Sequence, residues 1–393
     1  MRRTELLQGL REMKFEEVYG RFRQGRLSAV EAADWLGVSE RTFLRWRGRH
    51  DLDGSVGLLD RRLGKVSPAR IAVDEVDRIV LLYRDRYAGW NVLHFHERAV
   101  EQHGLTASYG WTKSVLHGSG MVHPAKKRGA HRRRRLRKPL PGLMLHQDGS
   151  RHLWLPALGR QIDLIVTMDD ANSELYSMFL VDEEGTWSTL RGIGEVIRQH
   201  GLFCSFYTDR GSHYFYTPQA GEKVSKTVLT EVGRALKELG IRHIGAYSPE
   251  ARGRSERMFG TLQDRLVKEL ADAGIETMEA ANRFIRETYL ARHNRAFMVE
   301  AAEIGSAFMP WTRTDLDEVL CIQEDRVVDH DNTVSFNRLK LQIEPSPLRH
   351  HFVRATVTVR RYADRSIGIF YGPRCIGRYG PDGKLLNAQN QAA

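Results

Sequence analysis

Apolar residues recur at helical spacing along the first third of the chain and gather into short runs along the middle. Val30, Ala33, Leu36, Val38, Phe43, Leu44 and Trp46 predict a small three-helix core over Phe15–Gln24, Ser28–Leu36 and Ser39–Arg47. Gly37 suits the tight turn between the last two, and Ser39 suits a helix N-cap. Helices are also expected over Val73–Arg86, Asn91–His103 and Ser108–His117. From Leu143 the period changes. Strands are expected at Leu143–Gly149, Gln161–Met168 and Glu174–Val181, with Asp169 and Asp170 as turn residues. A helix at Thr186–Gly201, a strand at Cys204–Thr208, a helix at Ser225–Gly240 and a strand at Ile241–Tyr247 follow. Arg252–Leu270 and Met278–Asn294 close this part as helices. Three strands in succession and then strand–helix alternation predict an α/β domain with a mixed sheet. Beyond Met309-Pro310-Trp311 come Arg326–Asp329, Thr333–Phe336, Leu339–Ile343, Arg354–Arg361, Ile367–Tyr371 and Cys375–Arg378. Separated by turn residues, they predict a small C-terminal β-barrel.

Length and composition make this a multidomain chain. At roughly 150 residues per domain, 393 residues suggest two to four, and a 41% hydrophobic content supplies real cores. No run of ~18 apolar residues is present, so no membrane span is expected. The start, Met1-Arg2-Arg3-Thr4-Glu5, lacks the apolar stretch of a secretory signal. Cys204, Cys321 and Cys375 are odd in number and far apart, which argues against a disulfide framework or a cysteine zinc site. A reduced, cytoplasmic setting follows as the expectation.

Charge adds a partner. The formal net charge is +11, and residues 102–147 alone carry +10, with no Asp or Glu among them. Residues 1–101 carry +3 and residues 148–393 carry −2. A basic block of this kind points to nucleic acid, with a merely solvated basic linker as the alternative. Its center is Lys126, Lys127, Arg128, Arg132, Arg133, Arg134, Arg135, Arg137 and Lys138, which would release counterions from a phosphate backbone.

The string Ala32-Ala33-Asp34-Trp35-Leu36-Gly37-Val38-Ser39-Glu40-Arg41-Thr42 resembles the helix-turn-helix of bacterial regulators and transposases. The resemblance implies a second helix, opened by Ser39, that brings Ser39, Glu40, Arg41, Arg45 and Arg47 to a DNA major groove. A second helix-turn-helix, with Lys113 on its last helix, stands beside a plain helical spacer as the reading of 66–122. The chain thus divides into residues 1–65, 66–122, a basic linker at 123–142, an α/β domain at 143–300 and the barrel at 310–386.

Three acids stand at element ends in the middle domain. Asp148 is at the end of its first expected strand, Asp209 directly follows the fourth, and Glu256 is one turn into a helix. Their order and motifs, His146-Gln147-Asp148-Gly149, Tyr207-Thr208-Asp209-Arg210-Gly211 and Gly253-Arg254-Ser255-Glu256, resemble the insertion-sequence transposases of the DDE, retroviral-integrase superfamily. The likeness covers about residues 143–296. It implies a ribonuclease H-like fold with Asp148, Asp209 and Glu256 as catalytic, metal-binding acids. It also implies two Mg²⁺ ions, with Mn²⁺ as a possible substitute. The implied reaction is hydrolysis at an element end followed by strand transfer. Double-stranded DNA, both element ends and target, is the implied partner, with a homo-oligomer on that DNA, in the bacterial cytoplasm at the nucleoid. Arg252, Arg254 and Arg257 could hold phosphates there, or offset the acids' charge. Two departures from the family pattern are Arg210, where Asn is common, and an insertion near Tyr214–Lys226. Glu250 is the rival third acid, and Glu256 is preferred because it follows Gly253 by three residues, as in the family motif. A DNA-binding regulator with an inactive ribonuclease H-like domain and a hydrolysis-only nuclease are the alternative functions.

Overall fold

The computed structural model describes residues 3–59, 71–124, 136–217, 225, 228–246, 253–345 and 349–386. Lys126, Lys127, Arg128, Arg132, Arg133, Arg134, Arg135, Glu250 and Arg252 lie outside the described residues. The chain divides into two compact units, one of Met1–Arg86 with Gly110–Met121 and one of Tyr87–Tyr109 with Val122–Ala393.

The first unit opens with α1 (Arg3–Arg23), α2 (Ala29–Leu36) and α3 (Glu40–Asp53). Phe15, Val18, Tyr19, Ala32, Ala33 and Phe43 form their shared core. α1 begins well before Phe15, in a stretch of Leu, Glu, Arg and Met whose helix propensity is high although it carries no clean apolar stripe. Ser28 and Glu31 cap α2 reciprocally. Gly37 ends α2 at φ 66°, a left-handed conformation that costs glycine little. Ser39 Oγ then accepts the Thr42 N–H and starts α3. Two caps two residues apart, Gly37 and Ser39, thus make the tight turn between α2 and α3. α4 (Val73–Arg86) and nearly all of α6 (Tyr109–Gly118) also belong to this unit.

The second unit contains α5 (Val92–His103) and a five-stranded sheet. Its strands are β1 (Leu145–His152), β2 (Ile162–Asp169), β3 (Leu175–Val181), β4 (Ser205–Thr208) and β5 (Arg242–Gly245), in the order β3-β2-β1-β4-β5. β1, β2 and β3 are antiparallel neighbors, whereas β4 runs parallel to both β1 and β5. The expected mixed sheet is present, and its order with flanking helices fits a ribonuclease H-like core. α7 (Thr186–His200) and α8 (Glu231–Glu238) cover one face around Leu145, Phe206, Ile193 and Leu236. α9 (Gly253–Asp272), α10 (Met278–Phe284) and α11 (Leu290–Phe297) cover the other around Leu164, Val166, Leu262 and Ile285. With both faces covered, every residue of β2 is buried. α7 lies close on the sheet because Gly192 has no side chain, and a Cβ there would stand 2.2 Å from Gln147 Nε2. A π-helical turn, Ile285–Tyr289, joins α10 to α11. α8 starts only at Glu231, where Thr230 caps it, not at Ser225.

The C-terminal part departs from the expected barrel. After the short α12 (Leu316–Val319), β6 (Ile322–Val327), β9 (Thr356–Arg361), β10 (Ile367–Tyr371) and β11 (Arg374–Tyr379) form an antiparallel sheet, order β11-β10-β9-β6. β7 (Thr333–Phe336) and β8 (Leu339–Gln342) form a separate hairpin. Its two-residue turn, Asn337 and Arg338, is at positive φ, as a hairpin turn matched to strand twist requires. Val334, Phe336 and Leu341 of the hairpin share one core with Val357, Val359, Ile367 and Ile369 of the sheet. The described strands therefore pack face to face instead of closing on themselves. Arg360 and Arg361 of β9 have local partners. Arg360 donates to Glu318 at 2.8 Å and stacks over Phe370 at 4.0 Å, and Arg361 lies over Trp187 at 5.5 Å.

Burial also sets an acid limit on this unit. It lowers the His243 and His293 pKa values to about 4, from 6.5, and lowers that of His94. Between those values the unfolded chain binds protons that the folded chain does not, so stability falls as pH drops below about 6.5. Each of His243 and His293 then removes about 2 kcal/mol by pH 5. Urea midpoints should hold level from pH 8 to 7 and fall clearly by pH 5. A level midpoint down to pH 5 would contradict the buried neutral state of both rings.

Candidate active site

β1 and β4 bring two of the acids together. Leu145 pairs with Phe206 and His146 with Tyr207 in parallel register, so two residues further on Asp148 stands beside Asp209. Neighboring strands are about 4.8 Å apart. Side chains alternate across a sheet, and Leu145 and Phe206 point into the core under α7 and α8. Asp148 and Asp209 therefore share the opposite face. Asp148 lies within β1, which runs on to His152, and is buried, so the expected strand-end position is corrected to a mid-strand one. Asp209 is half-buried, and its Oδ1 accepts the Gly211 N–H at 2.8 Å, a turn that leads the chain off the sheet.

α9 covers the same face. Gln263 donates to Ser150 Oγ at 3.1 Å, and Ser150 shares the Asp148 side of β1. Glu256 lies seven residues earlier on α9, hence on the Gln263 side of the helix and about 11 Å along its axis, two turns toward the N-terminus. It is exposed, in the first turn. Among the described residues, no three His, Cys, Asp or Glu side chains are grouped closely enough to hold a metal ion. The strands pair Asp148 with Asp209, then, and leave Glu256 on the helix above the same face. The donor chemistry suits a hard divalent cation, since all three side chains offer carboxylate oxygens.

Buried Tyr214 senses both strand acids. Burial and the Glu184 carboxylate, with further contributions from Asp148 and Asp209, raise its pKa well above the usual phenol value. Tyr214 is thus a core residue of the inserted segment, its hydroxyl 3.3 Å from both Gln147 Oε1 and Glu184 Oε1. Glu184 had no signal in the pattern of apolar positions. Its carboxylate lies over Gly149, where a Cβ would stand 2.3 Å from Oε2, and His213 Nε2 is 3.5 Å away.

Asp170 is a turn residue as expected, whereas Asp169 is the last residue of β2, and neither has any solvent exposure. Asp169 accepts the Gly142 and Ala171 N–H groups at 2.7 Å each, and its burial raises its pKa. Asp170 receives His146 Nε2 at 2.9 Å, the Lys138 N–H at 2.8 Å and the Arg254 guanidinium. Two successive acids closing a mostly apolar, wholly buried strand were the available clue.

The basic candidates fall into distinct settings. Arg41 and Arg45 are exposed one turn apart on α3, while Arg47 lies over the Phe22 ring at 5.8 Å. Ser39 is exposed and serves as the α3 cap. Lys113 is exposed on α6, and Arg257 on α9. Arg137 donates to the carbonyls of Asp170 and Ala171 and to Ser173 Oγ, and burial lowers its pKa, with nearby Arg254 adding to the shift.

No protein-family model matches the chain. A putative transposase of Sinorhizobium fredii, y4bF, is 30% identical over 361 residues, 91% of this chain and 78% of that protein. The transposase for insertion sequence IS1202 of Streptococcus pneumoniae is 24% identical over 371 residues, 85% of this chain and 78% of that protein. Among solved structures, the HTLV-2 integrase catalytic core domain in complex with magnesium matches 37% of this chain and 82% of its own. That match has 19% identity and a TM-score of 0.29, too loose a superposition to bear on function. Among the described residues no helix is long and apolar enough to cross a membrane. Similarity to y4bF over 91% of this chain and 78% of that protein is decisive: the chain belongs to the same family, the transposases.

Proposed function

We propose that the protein binds the ends of a DNA element and catalyses Mg²⁺-dependent phosphodiester hydrolysis and strand transfer. The observation that carries this reading is the pairing of Asp148 with Asp209 on adjacent parallel strands, under the face on which α9 bears Glu256. These three carboxylates would hold two Mg²⁺ ions, or Mn²⁺ in their place. Such a pair supplies activation of the attacking oxygen and stabilisation of the leaving one. No side-chain nucleophile is required, because water and then a DNA 3′-hydroxyl would attack. Residues 143–300 would be the catalytic domain, 1–65 the end-reading domain, and 66–122 a second helical module. The basic linker, 123–142, would add sequence-independent affinity. Arg257, exposed next to Glu256, would meet a phosphate there, whereas Arg254 is paired with Asp170. Double-stranded DNA, as element end and as target, is the partner. Holding two ends together implies a homo-oligomer on the DNA, acting in the bacterial cytoplasm.

The test is to incubate the full chain with Mg²⁺, a labelled element-end duplex and a target plasmid. Joined products are expected. Cut products without joining would make the protein a nuclease, and neither would make it a regulator with an inactive core.

End binding has its own test on α3. Arg41→Ala and Arg45→Ala should each weaken end-duplex binding by about 1–3 kcal/mol, because a bidentate arginine–base pair is worth that much. Anisotropy titrations at fixed salt measure this. Affinities unchanged in both variants would remove α3 from the interface.

A further inference from the structure

Three separate segments converge on the carboxylate of Asp170, which has no solvent exposure. His146 of β1 donates to Oδ1 at 2.9 Å, Arg254 of α9 pairs with the same oxygen, and the Lys138 N–H donates to Oδ2 at 2.8 Å. The backbone is tied as well, since the Asp170 N–H donates to the Met144 carbonyl at 3.0 Å, one residue before β1. A carboxylate this buried is costly unless such donors surround it. With both oxygens engaged, Asp170 is not placed as a further metal ligand. The partners' places in the chain are what matter. His146 lies two residues before Asp148 on the same side of β1, and Arg254 lies two residues before Glu256 in the first turn of α9.

We infer that Asp170 is a positioning residue: by holding His146 and Arg254 together it sets the first turn of α9, and with it Glu256, against the strand that bears Asp148. This rests on the reading of Asp148, Asp209 and Glu256 as the metal-holding acids. Groups that orient metal ligands, without touching the metal, typically change metal affinity or activity by 10–100-fold when altered.

The experiment is a double-mutant cycle on the full chain with Asp170→Asn, Arg254→Gln and the pair together. Single-turnover joining, end-duplex affinity, calorimetric Mg²⁺ binding to the DNA-bound protein and the thermal midpoint are measured. Each single variant should slow joining and weaken Mg²⁺ binding by about 10–100-fold, with duplex affinity within about twofold of the parent. The double variant should be no worse than the poorer single one, because both act through one contact. Arg254→Lys, which keeps the charge, should recover part of the loss. Additive losses, or joining and Mg²⁺ binding unchanged in Arg254→Gln, would overturn the inference. So would losses that track only the thermal midpoint. Arg254 is at the start of its helix and partly exposed, so its variants remain informative even if Asp170→Asn fails to fold. Glu256→Gln is run alongside. If it joins normally, the three-acid reading fails by itself, while the cycle still reports whether Asp170 and Arg254 are coupled.

Discussion

Glu256→Gln is expected to lower strand joining by about 10³-fold or more, since a metal-held charge is worth several kcal/mol in the transition state. The amide keeps the shape of the side chain and removes the anionic oxygen that a hard cation selects. The fold should be indifferent to the change. α9 is held by Met258, Phe259, Leu262 and Leu266 in the core and by Gln263 on Ser150, whereas Glu256 is exposed. End-duplex affinity should therefore remain within about twofold, and stability within about 0.5 kcal/mol, as for ordinary surface changes. Glu276→Gln, an exposed acid beyond the end of α9, serves as the control and should join normally. The informative failure is specific: if Glu256→Gln joins and Glu250→Gln does not, the third acid is Glu250. Asp148→Asn is a less clean probe, because Asp148 is buried and its loss mixes folding with chemistry.

What could be read from sequence followed the range of the interaction involved. The strands of the α/β domain were legible because burial on both faces leaves runs such as Ile162–Met168 mostly apolar. The α2–α3 turn was legible because Gly37 and Ser39 act on their immediate neighbors. Asp209 was legible as an acid just past a strand and Asp148 as an acid on one, though not at its end, but their side-by-side placement depends on the β1–β4 register, which no local pattern encodes. The same limit hid Asp170, whose partners include Arg254, 84 residues away, and Glu184, whose carboxylate fills the space above Gly149. Barrel closure failed for a related reason. Apolar spacing marks where short strands lie, but edge pairing decides whether they close, and here β7 and β8 pair with each other. α5 likewise meets Glu269 of α9, more than 170 residues away, through His94 and Arg98.

Those contacts should be visible in stability, and Glu269→Gln is expected to destabilise the second unit by about 3 kcal/mol, the lower end for breaking a buried ion pair. Glu269 is 3% exposed and receives His94 Nε2 at 2.8 Å together with the guanidinium groups of Arg98 and Arg292. Burial alone would raise its pKa. The His94 hydrogen bond, with the charges of Arg98 and Arg292, outweighs burial and holds the carboxyl below the ordinary range. The stranded partner decides the magnitude. Arg98 is almost as buried as Glu269, and its alternatives are weak: Glu101 at 3.5 Å is half exposed, and Asp272 is 3.9 Å away. Arg292 can turn toward solvent and should cost little. A loss of 3 kcal/mol lowers the thermal midpoint of a unit this large by about 6–12 °C. Glu101→Gln, which removes only the exposed partner, should cost less than about 1 kcal/mol. The sign with pH follows from the lowered pKa: the Glu269 contribution is complete above the unfolded value, near 4.5, and is lost as pH falls through the folded value. Parent and Glu269→Gln midpoints should therefore stand furthest apart at neutral pH and converge in acid, below pH 4. Equal midpoints at pH 7 would mean that α5 is held to α9 by packing alone, with the buried charges contributing nothing.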